Sequence, residues 1–171
     1  MDKDLQAKLL PLRQKIDSLD KEILTLINER ARTAQAVGEL KHTHHEPGPV
    51  FRPEREAQVI RDLQSDNTGP IGGQAVEAIW SQIISVCRGL EQEIRVAYLG
   101  PAGSFSEQAA FEYMGEQITG VPCPDFDEVF RRLEADGADV GIVPVENSTE
   151  GAVNRTLDLL LQTPLRIVGE H

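Results

Sequence analysis

An apolar seam opens this chain and then breaks at a single charged residue. Leu5, Leu9, Leu12, Ile16, Leu19, Ile23 and Leu26 recur at alternating steps of four and three, a heptad register held over three repeats. The next seam position is Arg30. A guanidinium on a buried stripe loses its hydration and needs an anion to meet it. Lys41 follows eleven residues later, about 20° around the helix from Arg30 and roughly 16 Å along it. Two cations thus face one way with space for a small dianion between them. A buried ion pair with an Asp or Glu from a partner helix satisfies the same pattern.

The helix that carries this seam is expected from about Lys3 to about His42, with Pro11 its only irregularity. Nearly forty residues make a rod of roughly 60 Å. A domain of this size cannot enclose such a rod alone, so the pattern calls for a partner helix along its length, most simply a second copy of the chain. A second helix is expected from Pro53, a residue suited to a first helical turn, to about Gln64. A third is expected from about Gly73 to Glu93, with Val76, Ile79, Trp80, Ile83, Val86, Cys87 and Leu90 as its stripe.

Beyond Glu93 the pattern changes. Arg95 to Leu99 reads as a strand, followed by Gly100-Pro101-Ala102-Gly103 and a helix to about Tyr113. A helix at about 126–135, a buried strand at 140–145, a helix at about 152–161 and a third strand at 165–168 complete the expectation. Alternating strands and helices indicate an α/β unit with a largely parallel sheet. The reading is therefore an all-α segment over 1–93 and an α/β segment over 94–171.

Charge narrows the partners. The net charge is −11, with 12 Lys+Arg against 15 Asp+Glu in residues 1–93 and 5 against 13 in residues 94–171. An acidic surface without a basic cluster argues against nucleic acid and anionic membranes, so an anionic ligand must be drawn by a few placed cations. Cys87 and Cys123 fit neither a metal spacing nor a disulfide framework. No cysteine or carboxylate cluster accompanies His42, His44 and His45, and a solvated helix end accounts for them better than a metal site. The charged N-terminus lacks the pattern of a signal peptide, and no apolar run approaches a membrane span, which together suggest a cytoplasmic, reducing setting.

Other charged residues stand out against the apolar pattern. Arg55 and Glu56 are adjacent in the first turn of the second helix, about 100° apart, so they can line two walls of one pocket. Glu91 prolongs the face of Trp80, Ile84 and Cys87 on the third helix. For both, ordinary helix-end charge is the simpler reading when each is taken alone.

Arg13, Arg30, Lys41, Arg55, Glu56, Cys87 and Glu91, on one long, one short and one medium helix, together resemble the all-helical class of chorismate mutases. Leu12-Arg13-x-x-Ile16-Asp17-x-Leu19-Asp20, Glu29-Arg30 and Pro53-x-Arg55-Glu56 carry the resemblance over residues 5–93. It implies a cofactor-free Claisen rearrangement of chorismate to prephenate inside an intertwined homodimer. In that scheme Arg30 binds one substrate carboxylate and Arg13 of the opposite subunit the other. Arg13 lies about 100° off the face of Arg30, which agrees with that division. Lys41 would donate to the ether oxygen, Glu56 would hold the ring hydroxyl and Arg55 would flank it.

Three positions depart from the family pattern. Arg52 stands where an aspartate is common, though a backbone contact is expected there. Cys87 replaces a carboxylate-binding serine, and Glu91 stands where many members have glutamine. Glutamine donates at every pH, whereas glutamate donates only when protonated. Glu91 is therefore expected to act as a neutral acid beside Lys41.

Val96 to Ser106 and Val143 to Gly151 resemble the opening half of prephenate dehydratase. Each is a strand running through a turn into a helix start, where backbone amides can meet an anion. Ser106, Glu146, Asn147 and Ser148 are the pocket candidates. The order of the two resemblances is that of the bifunctional chorismate mutase–prephenate dehydratases of phenylalanine synthesis. That family's second domain is of periplasmic-binding-protein type. Its catalytic Thr-Arg-Phe segment is not found here, so dehydratase activity is not expected of the chain as written. The competing reading is a non-catalytic helical dimerisation module carrying an α/β ligand-binding lobe.

Overall fold

The computed structural model describes residues 3–44, 51–147 and 151–171. Its first element, α1, is a 41-residue helix, Lys3–Thr43, with Pro11 inside it. Helix α2 (Pro53–Asp66) begins with proline at its first position, where a missing N–H costs no hydrogen bond. Helix α3 (Gly73–Glu91) ends two residues before the expected Glu93, where Gln92 turns extended and caps onto the Arg88 carbonyl.

Only the C-terminal part of α1 is covered. Ala31 and Gly38 are buried there, where α1 packs against α3. The seam before it is open to solvent, with Leu12 62% and Leu26 64% exposed. Helix α2 lies on α3 as well, so α3 is the common support of the helical part.

The α/β part begins after three residues. Strand β1 (Arg95–Leu99) coincides with the expected strand. It is followed by α4 (Phe105–Met114), β2 (Thr119–Cys123), α5 (Phe126–Glu134) and β3 (Val140–Ile142). A short antiparallel ladder of β4 (Glu146–Asn147) and β5 (Gly151–Ala152) precedes α6 (Asn154–Gln162). The main sheet runs β2-β1-β3, with both pairings parallel.

Both faces of this sheet are covered, as parallel sheets require. Val96 points into a cluster with Ile94, Ala110 and Met114, whereas Ala97 joins Cys123, Val129 and Ala138 on the other side. Phe51, from the helical part, sits in the first of these clusters and meets Tyr113 edge-on. The two parts therefore share an apolar core.

Three expectations need correction. No strand is expected from the sequence between Tyr113 and Phe126, yet β2 forms there; its Gly120 and Pro122 weaken a strand signal, and proline is tolerated because β2 is an edge of the sheet. The strand expected at 140–145 ends at Ile142, and Glu146–Asn147 leaves to pair with β5 instead. Residues 165–168 form no strand, because β-pairing needs a neighbour and neither sheet reaches them; Ile167 and Val168 are exposed.

One ion pair ties the start of β1 to the turn before β3. The Arg95 guanidinium grips Asp139 through two nitrogens, at 3.1 and 3.0 Å, and the Arg95 backbone N–H donates to the same carboxylate at 2.8 Å. Burial raises the Asp139 carboxyl, but these bonds outweigh it and hold the group below its usual range. A depressed carboxylate contributes stability above its unfolded pKa, near 4, and loses it as pH falls through the folded value. Asp139→Asn is expected to lower the neutral-pH melting temperature by a few degrees and to flatten the acid side of the stability profile, measured by thermal denaturation from pH 7 to pH 3.

Candidate active site

The last turn of α3 carries two charged residues that each reach a different helix. From Glu91, Oε1 accepts a hydrogen bond from Lys41 Nζ of α1 at 2.8 Å, and both side chains are largely buried. From Arg88, 5% exposed, NH1 donates to Glu56 Oε1 of α2 at 2.5 Å. Residues three apart on a helix lie on one face. This turn therefore fixes the ends of α1 and α2 with respect to each other.

Close approach at the first contact depends on a residue without a side chain. A Cβ on Gly38 would lie 2.7 Å from Glu91 Cγ, closer than such atoms can sit. Glycine there lets the Glu91 stem cross α1 and meet Lys41, one turn further along. Gln35, Gly38, Glu39, Thr43, Leu90 and Glu91 line a cleft of about 550 Å³ beside the pair, a size suited to a small metabolite.

The structure places the other candidates as follows. Arg30 is half-buried on α1, next to Ala31 where the covered region starts, and forms no ion pair with any described residue. Arg13 is exposed on the same helix, about 25 Å back along its axis, so the two arginines of one chain do not meet. Cys87 is fully buried and free of any disulfide. Arg52 caps the start of α2 through its backbone and is exposed, as is Arg55. Lys41, Glu91 and, through Arg88, Glu56 converge on the end of α3, whereas Arg13 stands apart.

In the α/β part, the loop after β1 and the loop after β3 leave the carboxyl ends of neighbouring strands. Ser106 is half-buried in the first turn of α4; Glu146 and Asn147 are exposed in β4; Ser148 lies outside the described residues. The first loop is internally satisfied. Ser104 caps α4 by accepting from the Glu107 N–H at 3.3 Å and donates to the Leu99 carbonyl at 3.0 Å. The Glu107 carboxylate takes the Gly103 N–H and the Tyr98 hydroxyl, both at 2.5 Å. The Gly103 amide expected to meet an external anion is thus filled by the chain's own carboxylate. Burial and this bond push the Tyr98 hydroxyl up to about 12. The Tyr98 bond and the Gly103 amide hold Glu107 low.

Among the described residues no group of histidine, cysteine and carboxylate side chains is placed to hold a metal, and no helix is long and apolar enough to cross a membrane. His44 is exposed at the end of α1, and His45 lies outside the described residues.

A helical segment that brings Lys41, Glu91, Arg88 and Glu56 together around the end of α3, followed by a parallel α/β segment, defines a two-part chain with a polar cleft whose lining includes Glu39 and Glu91. Comparison with known proteins gives each part a family. Residues 12–92 match the family Chorismate mutase type II and residues 96–171 match Prephenate dehydratase. The bifunctional chorismate mutase/prephenate dehydratase of Neisseria gonorrhoeae is 45% identical over 99% of this chain and 46% of its own length. The same-named protein of Pseudomonas aeruginosa is 47% identical over 96% of this chain and 46% of its own. A solved chorismate mutase (form II) from Thermus thermophilus is 28% identical, covering 49% of this chain and 93% of that one with a TM-score of 0.46. The two segments match these two families in the order in which the bifunctional chorismate mutase/prephenate dehydratases are named. It spans about half the length of the curated relatives it matches.

Sequence reasoning singled out Lys41 and Glu91 but missed Gly38 and Arg88. A glycine inside a long helix that otherwise favours longer side chains is a readable signal of close packing. Gly38→Ala is expected to displace Glu91 from Lys41. Binding of a small dicarboxylate, followed by calorimetry, should weaken by about tenfold while circular dichroism keeps the helical signal.

Proposed function

We propose that residues 1–93 form a chorismate mutase domain, dividing from a prephenate dehydratase segment at 94–171. The observation that carries this reading is the Lys41–Glu91 pair at 2.8 Å on the wall of the α1–α3 cleft. The reaction is an intramolecular rearrangement of chorismate to prephenate that needs no cofactor. The protein holds the compact substrate conformer and stabilises the charge that grows on the ether oxygen.

Arginine suits the substrate's two carboxylates because its planar fork binds them bidentately. Arg30 takes one. Arg13, about 25 Å away on the same helix, takes the other only from a second chain, whose α1 would also cover the exposed seam. The functional unit is therefore a homodimer paired along α1, in a cytoplasmic setting. Lys41 donates an N–H to the ether oxygen. Glu56 accepts the ring hydroxyl, and Arg55, the Arg52 backbone and Cys87 flank the substrate.

Glu91 completes the arrangement as a neutral acid. When protonated, one of its oxygens still accepts from Lys41 while the other carries a proton to donate to the ether oxygen. In the α/β segment, Ser106, Glu146, Asn147 and Ser148 are assigned to a prephenate-binding pocket.

Incubating the chain with chorismate and following the loss of its ultraviolet absorbance tests the reading. Turnover is expected, and Arg30→Ala should reduce it by about a hundredfold or more with helix content unchanged. An absence of decay between mildly acidic and neutral pH would favour a non-catalytic dimerisation module instead. Glu91→Gln, whose amide can donate whatever the pH, is expected to keep turnover within a few-fold of wild type, and a loss as large as that of Arg30→Ala would remove Glu91 from a donor role.

A further inference from the structure

Arg88 is the most buried cation among the described residues, and none of the roles above employs it. Its guanidinium has three neighbours. NH1 donates to Glu56 Oε1 at 2.5 Å, NH2 donates to the backbone carbonyl of Met114, and its carbon lies 4.9 Å from the Phe51 ring centre. Its Nε has no partner among the described residues.

Met114 closes α4, and its carbonyl also accepts from Ser85 Oγ at 3.2 Å. Two donors, one turn apart on α3, therefore converge on one acceptor in the α/β part. Met114 is buried in the core cluster that also holds Phe51, so its carbonyl offers a rigid anchor for the guanidinium.

We infer that Arg88 is a positioning residue for the mutase site, an inference that rests on the function proposed above. It has two effects on Glu56. Holding Oε1 in place leaves Oε2, which has no partner among the described residues, as the acceptor, so the carboxylate takes a neutral hydroxyl in a fixed direction. The guanidinium also offsets the charge of Glu56, which lines a neighbouring pocket with Phe51, Ala57 and Tyr113 and would otherwise repel a dicarboxylate substrate. A buried arginine anchored by a carbonyl and an aromatic face does both without competing for the substrate's own carboxylates. Because the anchor is Met114, the α/β part contributes to the geometry of the helical site.

The role predicts how the loss divides between binding and turnover. In the full chain, Arg88→Met should raise the KM for chorismate about tenfold, with a smaller change in kcat. In a Glu56→Ala background the same substitution should change catalytic efficiency by less than about twofold, because the group it positions is gone. An equal loss in both backgrounds would show that Arg88 is merely structural, and no loss in either would also overturn the inference. If Arg88→Met loses its helical circular dichroism, Arg88→Lys decides. An ammonium cannot serve Glu56 and the Met114 carbonyl with the same fork, so the variant should raise KM, and unchanged kinetics would contradict the role. A wild-type chain that does not turn over chorismate overturns the mutase reading itself, a result distinct from these.

Discussion

The seam of α1 is the constraint on which the rest of the molecule depends. A 41-residue helix can be buried over only part of its length by two shorter helices, and α3 covers the C-terminal part. There the residues of α1 that are buried or paired with α3 are small or charged: Ala31, Gly38 and Lys41. Before it, most of the leucines and isoleucines, Leu5, Leu12, Ile16, Leu19, Ile23 and Leu26 among them, are exposed, a larger apolar stripe than an isolated soluble chain ordinarily presents. A helix with this division positions a polar cleft at one end and needs a covering surface along the other.

The cleft follows from how buried charge is satisfied. Lys41 and Glu91 are paired, as are Glu56 and Arg88, and all four gather around one turn of α3. Pairing lets these groups stay within a partly dry site, since a lone buried charge would be costly. It also makes each of them directional. The cleft carries acceptors and donors at fixed positions before any ligand arrives, the condition under which electrostatic stabilisation is most effective.

Much of this was legible in the sequence, and the failures have physical causes. The three helices were readable because their apolar periodicity is long and their boundaries carry Pro53, Gly72 and Gly73. β1 was readable as a short branched and aromatic run. β2 was not, because Gly120 and Pro122 lower the signal in a strand whose place at the sheet edge tolerates them. Residues 165–168 have strand composition but no neighbour to pair with. In the site, Lys41 and Glu91 were detectable as charges interrupting stripes. Arg88 lies beside a stripe without interrupting it, and its partners, Glu56 and Met114, are 32 and 26 residues away. No local pattern encodes such contacts. Glu107 was hidden for a related reason: its capping position is readable, but its capture of the Gly103 amide and the Tyr98 hydroxyl is tertiary.

The central claim is that one site draws Arg30 from one chain and Arg13 from another. Complementation tests it most directly: Arg13→Ala and Arg30→Ala chains are refolded together, and chorismate turnover is compared with that of each variant refolded alone. In a mixed dimer, one site receives both intact arginines and the other receives neither. The account predicts two nearly inactive variants whose equimolar mixture recovers about a quarter of wild-type activity, since half the dimers are mixed and each has one working site. A mixture that forms mixed dimers but stays as inactive as its components would contradict a site shared between chains.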